Sequence, residues 1–217
     1  MDEIQPRLVY LVKNLMKSAA AYSIFEQSVK DYHVLDRIDQ PYNNPHPPKS
    51  LAHLMYRKNW IDTIQWHCED LIRDPGINPV EALELKRKID ASNQDRTDTV
   101  EYIDSYFLGQ YGSLTPQADA TSNTESPAWA YDRLSILSLK IYHMREESQR
   151  NNASADHRHQ CADKLAVLQT QREDLSLAID QLLNDLSSGR KTMKVYKQMK
   201  MYNDEALNPV LYSSKPD

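Results

Sequence analysis

Glycine is nearly missing: 4 of 217 residues, where an average chain carries about 7%. Sheet proteins spend glycine on turns and bulges, so the shortage points away from them. No strand-like alternation and no internal repeat stands out. Cysteine is almost as scarce, at 2 residues, Cys68 and Cys161. Neither belongs to a CxxC pair or to a cysteine and histidine cluster of zinc-finger spacing. Both are expected to be buried, reduced thiols. No apolar run approaches the ~20 residues of a membrane span, and mean hydropathy is −0.71. The N-terminus, MDEIQPRLVYLVKNL, starts acidic and carries no long apolar core with a small-residue cleavage site, so a signal peptide is not expected. A cytoplasmic location and no membrane span follow as expectations. The 26 basic and 31 acidic residues leave a net charge of −5, which disfavours nucleic acid as a partner.

What is present is helical punctuation. The 11 prolines fall at 6, 41, 45, 47, 48, 75, 79, 116, 127, 209 and 216, and proline is poorly tolerated inside helices. The gaps predict helices near 7–33, 49–73 and 79–108. Residues 109–127, GQYGSLTPQADATSNTESP, are almost empty of aliphatics and read as a mobile or disordered loop. A fourth helix near 127–150 and a fifth near 155–188 flank a turn at Asn151–Ser154, with Ser154 or Asp156 as the cap. The fold class is therefore all-α, an up-and-down bundle of about five helices. Residues 1–189 form a single bundle domain in this reading, and 190–217 a C-terminal strap.

The fifth helix carries a heptad seam: Cys161, Leu165, Leu168, Arg172, Leu175, Ile179, Leu182 and Leu186. The fourth offers Leu134, Leu137, Ile141 and Met144 at the same spacing, and the first Leu8, Val12, Leu15, Ala19 and Tyr22. The seam could pack within the chain or be shared in an oligomer, the reading of a helical assembly protein.

The two middle helices hold the polar features. On the second, Leu54, Ile61, Ile64, Cys68, Leu71 and Ile72 make one apolar side. A stripe about a quarter-turn away holds Met55, Asn59, Asp62, Trp66, Glu69 and Arg73. A solvated stripe does not usually contain tryptophan, so this one is expected to meet something. On the third, Leu85, Ile89, Val100, Ile103 and Phe107 form the core face, with Arg96 in its middle. Lys86, Asp90, Asn93, Thr97, Glu101 and Asp104 line the adjacent edge. A buried guanidinium needs a carboxylate or a bound anion. The carboxylates within reach by this reading are Asp62, Glu69, Glu101 and Asp104. Three readings stay open: an internal ion network, a polar pocket, or a network covered by a partner.

Carboxylates one turn apart, at Glu81-x-x-Glu84 and Glu101-x-x-Asp104, are similar to the magnesium motif of all-helical nucleotide pyrophosphohydrolases. On one continuous helix Glu84 and Glu101 stand about 25 Å apart, too far to share an ion. A second arrangement would use Glu69 with Glu101 and Asp104. The histidines read as solvated groups or helix caps rather than ligands, and His67 and Glu69 point to different sides of their helix. There is no GxSxG, P-loop or GxGxxG. No cofactor and no resident metal is expected.

The segment Arg190, Lys191, Lys194, Lys197, Lys200 holds five positive charges in eleven residues with no acid among them. Met193, Tyr196, Met199, Met201 and Tyr202 interleave. It reads as a basic strap lying on the acidic body, or as a grip for an anionic surface.

Three strings, Asn59-Trp60-Ile61-Asp62-x-x-x-Trp66-His67-x-Glu69-Asp70, Lys86-x-x-Ile89-Asp90-x-x-Asn93-Gln94-x-Arg96-x-Asp98-x-x-Glu101-x-Ile103-Asp104, and Lys200-Met201-Tyr202-Asn203-Asp204 with Asn208-Pro209, resemble a bacterial family of helical domains of unknown function. Its members are about this length and familiar from Bacteroides-type genomes. The resemblance implies one helical domain, no assigned activity, and an association with cell-envelope glycan synthesis. The leading expectation is a non-catalytic accessory protein. It would bind a small anionic ligand or a protein partner through Asp62, Trp66, Glu69, Arg73, Asn93, Arg96, Glu101 and Asp104. Arg96 would receive the anionic group, Asn93 would orient it, and Trp66 would stack on a sugar or base. The alternative is a magnesium-dependent hydrolase of nucleotides or nucleotide sugars.

Overall fold

The computed structural model describes residues 16–198 and 206–207. Among them are five helices: α1 (Ser18–Tyr32), α2 (Leu51–Leu71), α3 (Pro79–Tyr111), α4 (Pro127–Gln149) and α5 (Ala155–Ser187). No strand occurs among the described residues, only an isolated bridge between Thr121 and Lys191. The all-α bundle is thus the fold. No helix among the described residues is long and apolar enough to cross a membrane.

The starts follow from local chemistry. Ser50, Asn78, Ser126 and Ser154 each turn a side-chain oxygen onto a backbone N–H of the first turn, of His53, Val80, Trp129 and His157 respectively. Such a cap contributes about 1 kcal/mol. Pro79 and Pro127 stand just inside their helices, where the missing N–H costs nothing.

Three boundaries differ from expectation. In place of a helix expected from about 7, α1 starts only at Ser18, after Lys17, whose backbone is extended, and the Ser18 N–H donates to Asp180 (2.8 Å). Leu8, Val12 and Leu15 lie outside the described residues. The third helix runs to Tyr111 rather than 108, straight through Gly109. Tyr111 is buried and stacks on Phe107, which outweighs the ~1 kcal/mol that glycine costs within a helix. The loop after it is not loose. Gln117 and Thr121 donate to the carbonyls of Gly189 and Arg190, and Thr192 donates back to Thr121. Gly189, at φ 72°, makes the turn that ends α5 and lets the chain reach this loop.

The main core joins Phe25, Met55, Val100, Ile103, Phe107, Tyr131, Leu134, Ile179 and Leu183 from all five helices. Phe107 lies parallel to Tyr131 at 5.8 Å. The α5 seam is used within the chain: Cys161, Ile179, Leu182 and Leu186 are buried as α5 packs on α4. Arg172 sits over the ring of Tyr22 at 5.3 Å and 3.1 Å from Glu173. Both cysteines are buried thiols. Helix α2 is buried on more sides than one apolar stripe predicts. Met55, Lys58, Asn59 and Asp62 are inside, while Leu71, assigned to its core side, is exposed. The helix packs on α1, α3 and α4 at once, and a helix so enclosed must bury polar positions as well.

Candidate functional site

Four charged side chains from three helices meet where α2, α3 and α4 converge. Lys58, only 1% exposed, extends from α2 into the interior. Its ammonium donates to Asp62 one turn on (2.5 Å) and stands 2.6 Å from the Asp132 carboxylate of α4. Arg96 reaches across from α3. Its Nη2 donates to both Asp132 oxygens (2.8 and 2.6 Å) and its Nε donates to Oδ1 at 3.1 Å. Arg96 Nε also lies 3.3 Å from Asp62. Two cations face two carboxylates, and the group is neutral as a whole.

Helix α4 supplies further hydrogen bonds to the group, although the Asn59 Oδ1 finds no partner among the described residues. The Ser135 hydroxyl donates to Asp62 (2.6 Å), and the Asn59 amide donates to the Ser135 and Ser138 hydroxyls (3.0 and 3.2 Å). Such satisfaction is what makes a buried charge cluster tolerable. The two carboxyls respond differently. Burial would raise Asp132, but Lys58 and Arg96 together overcome it and hold the group below its ordinary range. Asp62 is raised by burial and by the Asp132 charge, against the opposing pull of Lys58 and Ser135.

Arg96 is therefore answered by Asp132 and Asp62, not by a vacant anion seat. Among the carboxylates expected to meet it, Asp62 does; Glu69, Glu101 and Asp104 do not. Lys58 and Asp132 were not among the expected site residues. Both sit beside apolar positions, Lys58 four residues after Leu54 and Asp132 two before Leu134. The available signal was a charged residue on a helical stripe, the same signal that marked Arg96.

The quartet does not close the surface completely. The Arg96 side chain remains 27% exposed and forms the floor of a cleft of about 310 Å³. Asp62, Gln65, Trp66, Glu69 and Asp70 of α2, with Arg73 just past its end, line one wall, and Ile136 and Leu139 of α4 the other. The Trp66 ring is backed by a parallel stack on His143 at 5.1 Å. Arg73, at the rim, pairs with Glu69 (3.1 Å) and approaches Asp70 (3.9 Å). Asn93 stands at the edge, accepting from Gln65 (2.9 Å).

Five of the eight expected residues, Asp62, Trp66, Glu69, Arg73 and Arg96, thus line one cleft, and Asn93 adjoins it. Glu101 and Asp104 lie farther along α3. Glu101 accepts from the Gln198 backbone N–H (3.2 Å) of the strap. Asp104 lines a separate cavity of about 290 Å³ with Ser126, Trp129, Met193 and Tyr196. Glu69, Glu101 and Asp104 do not converge, so the expected magnesium set is not assembled. The strap itself crosses the bundle as far as it is described. Arg190 pairs with Asp185 (2.7 Å) and Met193 packs against the core. Lys200 and the Met201–Asp204 string lie outside the described residues.

Residues 52–195 match the family described as proteins of unknown function, DUF4254. The match covers well over half of the chain, including all four members of the quartet, and the chain belongs to that family. No curated protein and no solved structure matches it.

Proposed function

We propose that this DUF4254 protein is a ligand-binding helical protein whose cleft between α2 and α4 takes a small polar molecule rich in hydroxyl or amino groups. The observation that supports this reading most is the composition of the lining. Asp62, Glu69 and Asp70 accept hydrogen bonds, and Trp66 offers a flat ring. Both cleft arginines already face carboxylates. A phosphate or carboxylate ligand would have to displace those partners. A sugar or amino sugar would not: its hydroxyls donate to the carboxylates, and its apolar ring face packs on tryptophan. At about 310 Å³ the cleft is at the small end of ligand sites, which suits one ring or two. A role beside enzymes of envelope glycan synthesis fits this ligand class.

The quartet then acts as a rigid floor. It fixes α2, α3 and α4 relative to one another and holds Asp62 and Arg96 in position before any ligand arrives, which limits the ordering cost of binding. The test is a thermal-shift screen of neutral hexoses and amino sugars, followed by titration while tryptophan fluorescence is monitored. A ligand at a hundred times its Kd stabilises the fold by about 2.7 kcal/mol. The expected result is stabilisation by at least one of these classes, lost in Trp66→Ala. A screen in which none of these classes stabilises the protein, or in which Trp66→Ala responds as the parent does, overturns the reading.

A further inference from the structure

Three histidines, each isolated in the sequence, come together behind the cleft. His33 follows the last residue of α1, His67 lies in α2 and His143 in α4. One ring nitrogen from each lies within 4.8 Å of the other two. Hydrogen bonding fixes the tautomer of His33. The His33 Nδ1 is 2.6 Å from the Val29 carbonyl, and a carbonyl only accepts, so Nδ1 carries the proton and Nε2 presents a lone pair. His143 Nδ1 faces the Glu146 carboxylate at 3.4 Å. The His143 Nε2 is buried and has no hydrogen-bond partner among the described residues. His67 Nε2 is 3.2 Å from His33 Nε2 and 3.6 Å from Asp36 Oδ1.

A shared proton between His33 and His67 explains one contact and leaves His143 Nε2 with nothing. We propose that His33, His67 and His143 together form a binding site for a first-row divalent transition metal, with Zn²⁺ the best-suited ion. The donor set is three imidazoles with no sulfur, which suits a borderline cation rather than Mg²⁺ or Ca²⁺. Metal–nitrogen bonds of about 2.0–2.1 Å put neighbouring ligand nitrogens about 3.4 Å apart in a tetrahedral site. The His33–His67 pair already has that spacing, and the His143 nitrogen lies within 4.8 Å of both.

The surroundings are those of a metal site. The rings are held in place by aromatic neighbours: Tyr32 stacks on His67 (5.1 Å), Trp66 on His143 (5.1 Å), and Tyr142 packs on His33 (4.3 Å). Val29 and Glu146 orient the ligands from outside, as such partners do in metalloproteins. Asp36 and Glu146 supply negative charge against a dication. Asp36 is brought to His67 by a turn in which it takes φ 52°, a conformation aspartate tolerates better than most residues. Three protein ligands leave a coordination position open. Because Trp66 stacks on His143 and also lines the cleft, the site stands directly behind the cleft wall. The site requires nothing of the cleft's own ligand.

The test uses the untagged full chain, stripped with chelator and titrated calorimetrically with Zn²⁺ alone. One equivalent should bind. His67→Asn and His143→Asn should each weaken binding at least tenfold. Glu146→Gln, which touches no metal, should weaken it about tenfold. His159→Asn, in an exposed residue of α5, should change nothing. Co²⁺ added to the unmodified protein should give the visible bands of a low-coordinate nitrogen site, a readout that needs no variant to fold. Substoichiometric Zn²⁺ binding, featureless Co²⁺ spectra, or affinity unchanged in both histidine variants would each overturn the proposal.

Discussion

Asp132 and Asp104 are carboxylates of the same bundle, 5% and 1% exposed, yet their environments act in opposite directions. Asp132 is clasped by Lys58 and Arg96, and the two cations reverse the effect of burial and keep it ionised. No cation offsets the charge of Asp104 among the described residues. Burial pushes it up to about 6, Glu101 adds repulsion, and a hydrogen bond from Ser126 only partly opposes them. One of its oxygens has no hydrogen-bond partner among the described residues. Burial sets the electrostatic demand, and the neighbours decide whether it is met. One end of the inter-helix seam is therefore a charge-neutral floor, and the other holds an acid raised toward neutrality beneath the strap.

The sharpest way to break this contrast is Lys58→Met. It leaves Asp62 and Asp132 sharing Arg96, and it should destabilise the protein by about 3–5 kcal/mol in urea unfolding at pH 7. A loss under ~1 kcal/mol would mean the quartet is not structural. Asp104→Asn should act in the other direction. The folded-state value of about 6 lies above the ordinary aspartate value of 3.8, so the folded protein holds this proton more tightly than the unfolded chain. Wild-type stability then falls as pH rises from about 4 to about 6 and stays lowered above that. The asparagine variant lacks that loss. It should exceed wild type by on the order of 1–2 kcal/mol at pH 8 and lose the advantage by pH 4. Ser126→Ala removes the α4 cap and the hydrogen bond to Asp104 together. It should cost about 1 kcal/mol and move the Asp104 titration, followed by carboxyl NMR, to higher pH. Arg73→Ala comes last. Arg73 itself and Asp70 are largely exposed, so the stability change should stay within ~1 kcal/mol.

Proline spacing and caps made the helices readable from the chain. Those signals are local, and Ser50, Asn78, Ser126 and Ser154 all behave as local chemistry requires. Arg96 was readable for a related reason: a guanidinium between Ile89 and Val100 breaks a 3.6-residue stripe. Its partner was not. Periodicity assigns one buried face per helix, and α2 buries several because three helices surround it. Lys58 accordingly escaped notice, and Asn59, assigned to the polar stripe, is interior. The loop at 112–126 looked loose because its tie to Gly189, Arg190 and Thr192 spans about seventy residues. The histidine cluster was invisible for the same reason. His33, His67 and His143 are separated by 34 and 76 positions, and each alone is an ordinary helix-edge residue.

The claim that everything else depends on is that Arg96 is neutralised from within by Asp132. A double-mutant cycle with Arg96→Met and Asp132→Asn measures it directly, because the double variant leaves Lys58 facing Asp62 as a neutral pair. The account predicts that each single change costs several kcal/mol, that the double variant recovers most of the loss, and that the coupling is about 2 kcal/mol or more. Costs that simply add would contradict it, and would mean that the guanidinium is held by something other than this carboxylate.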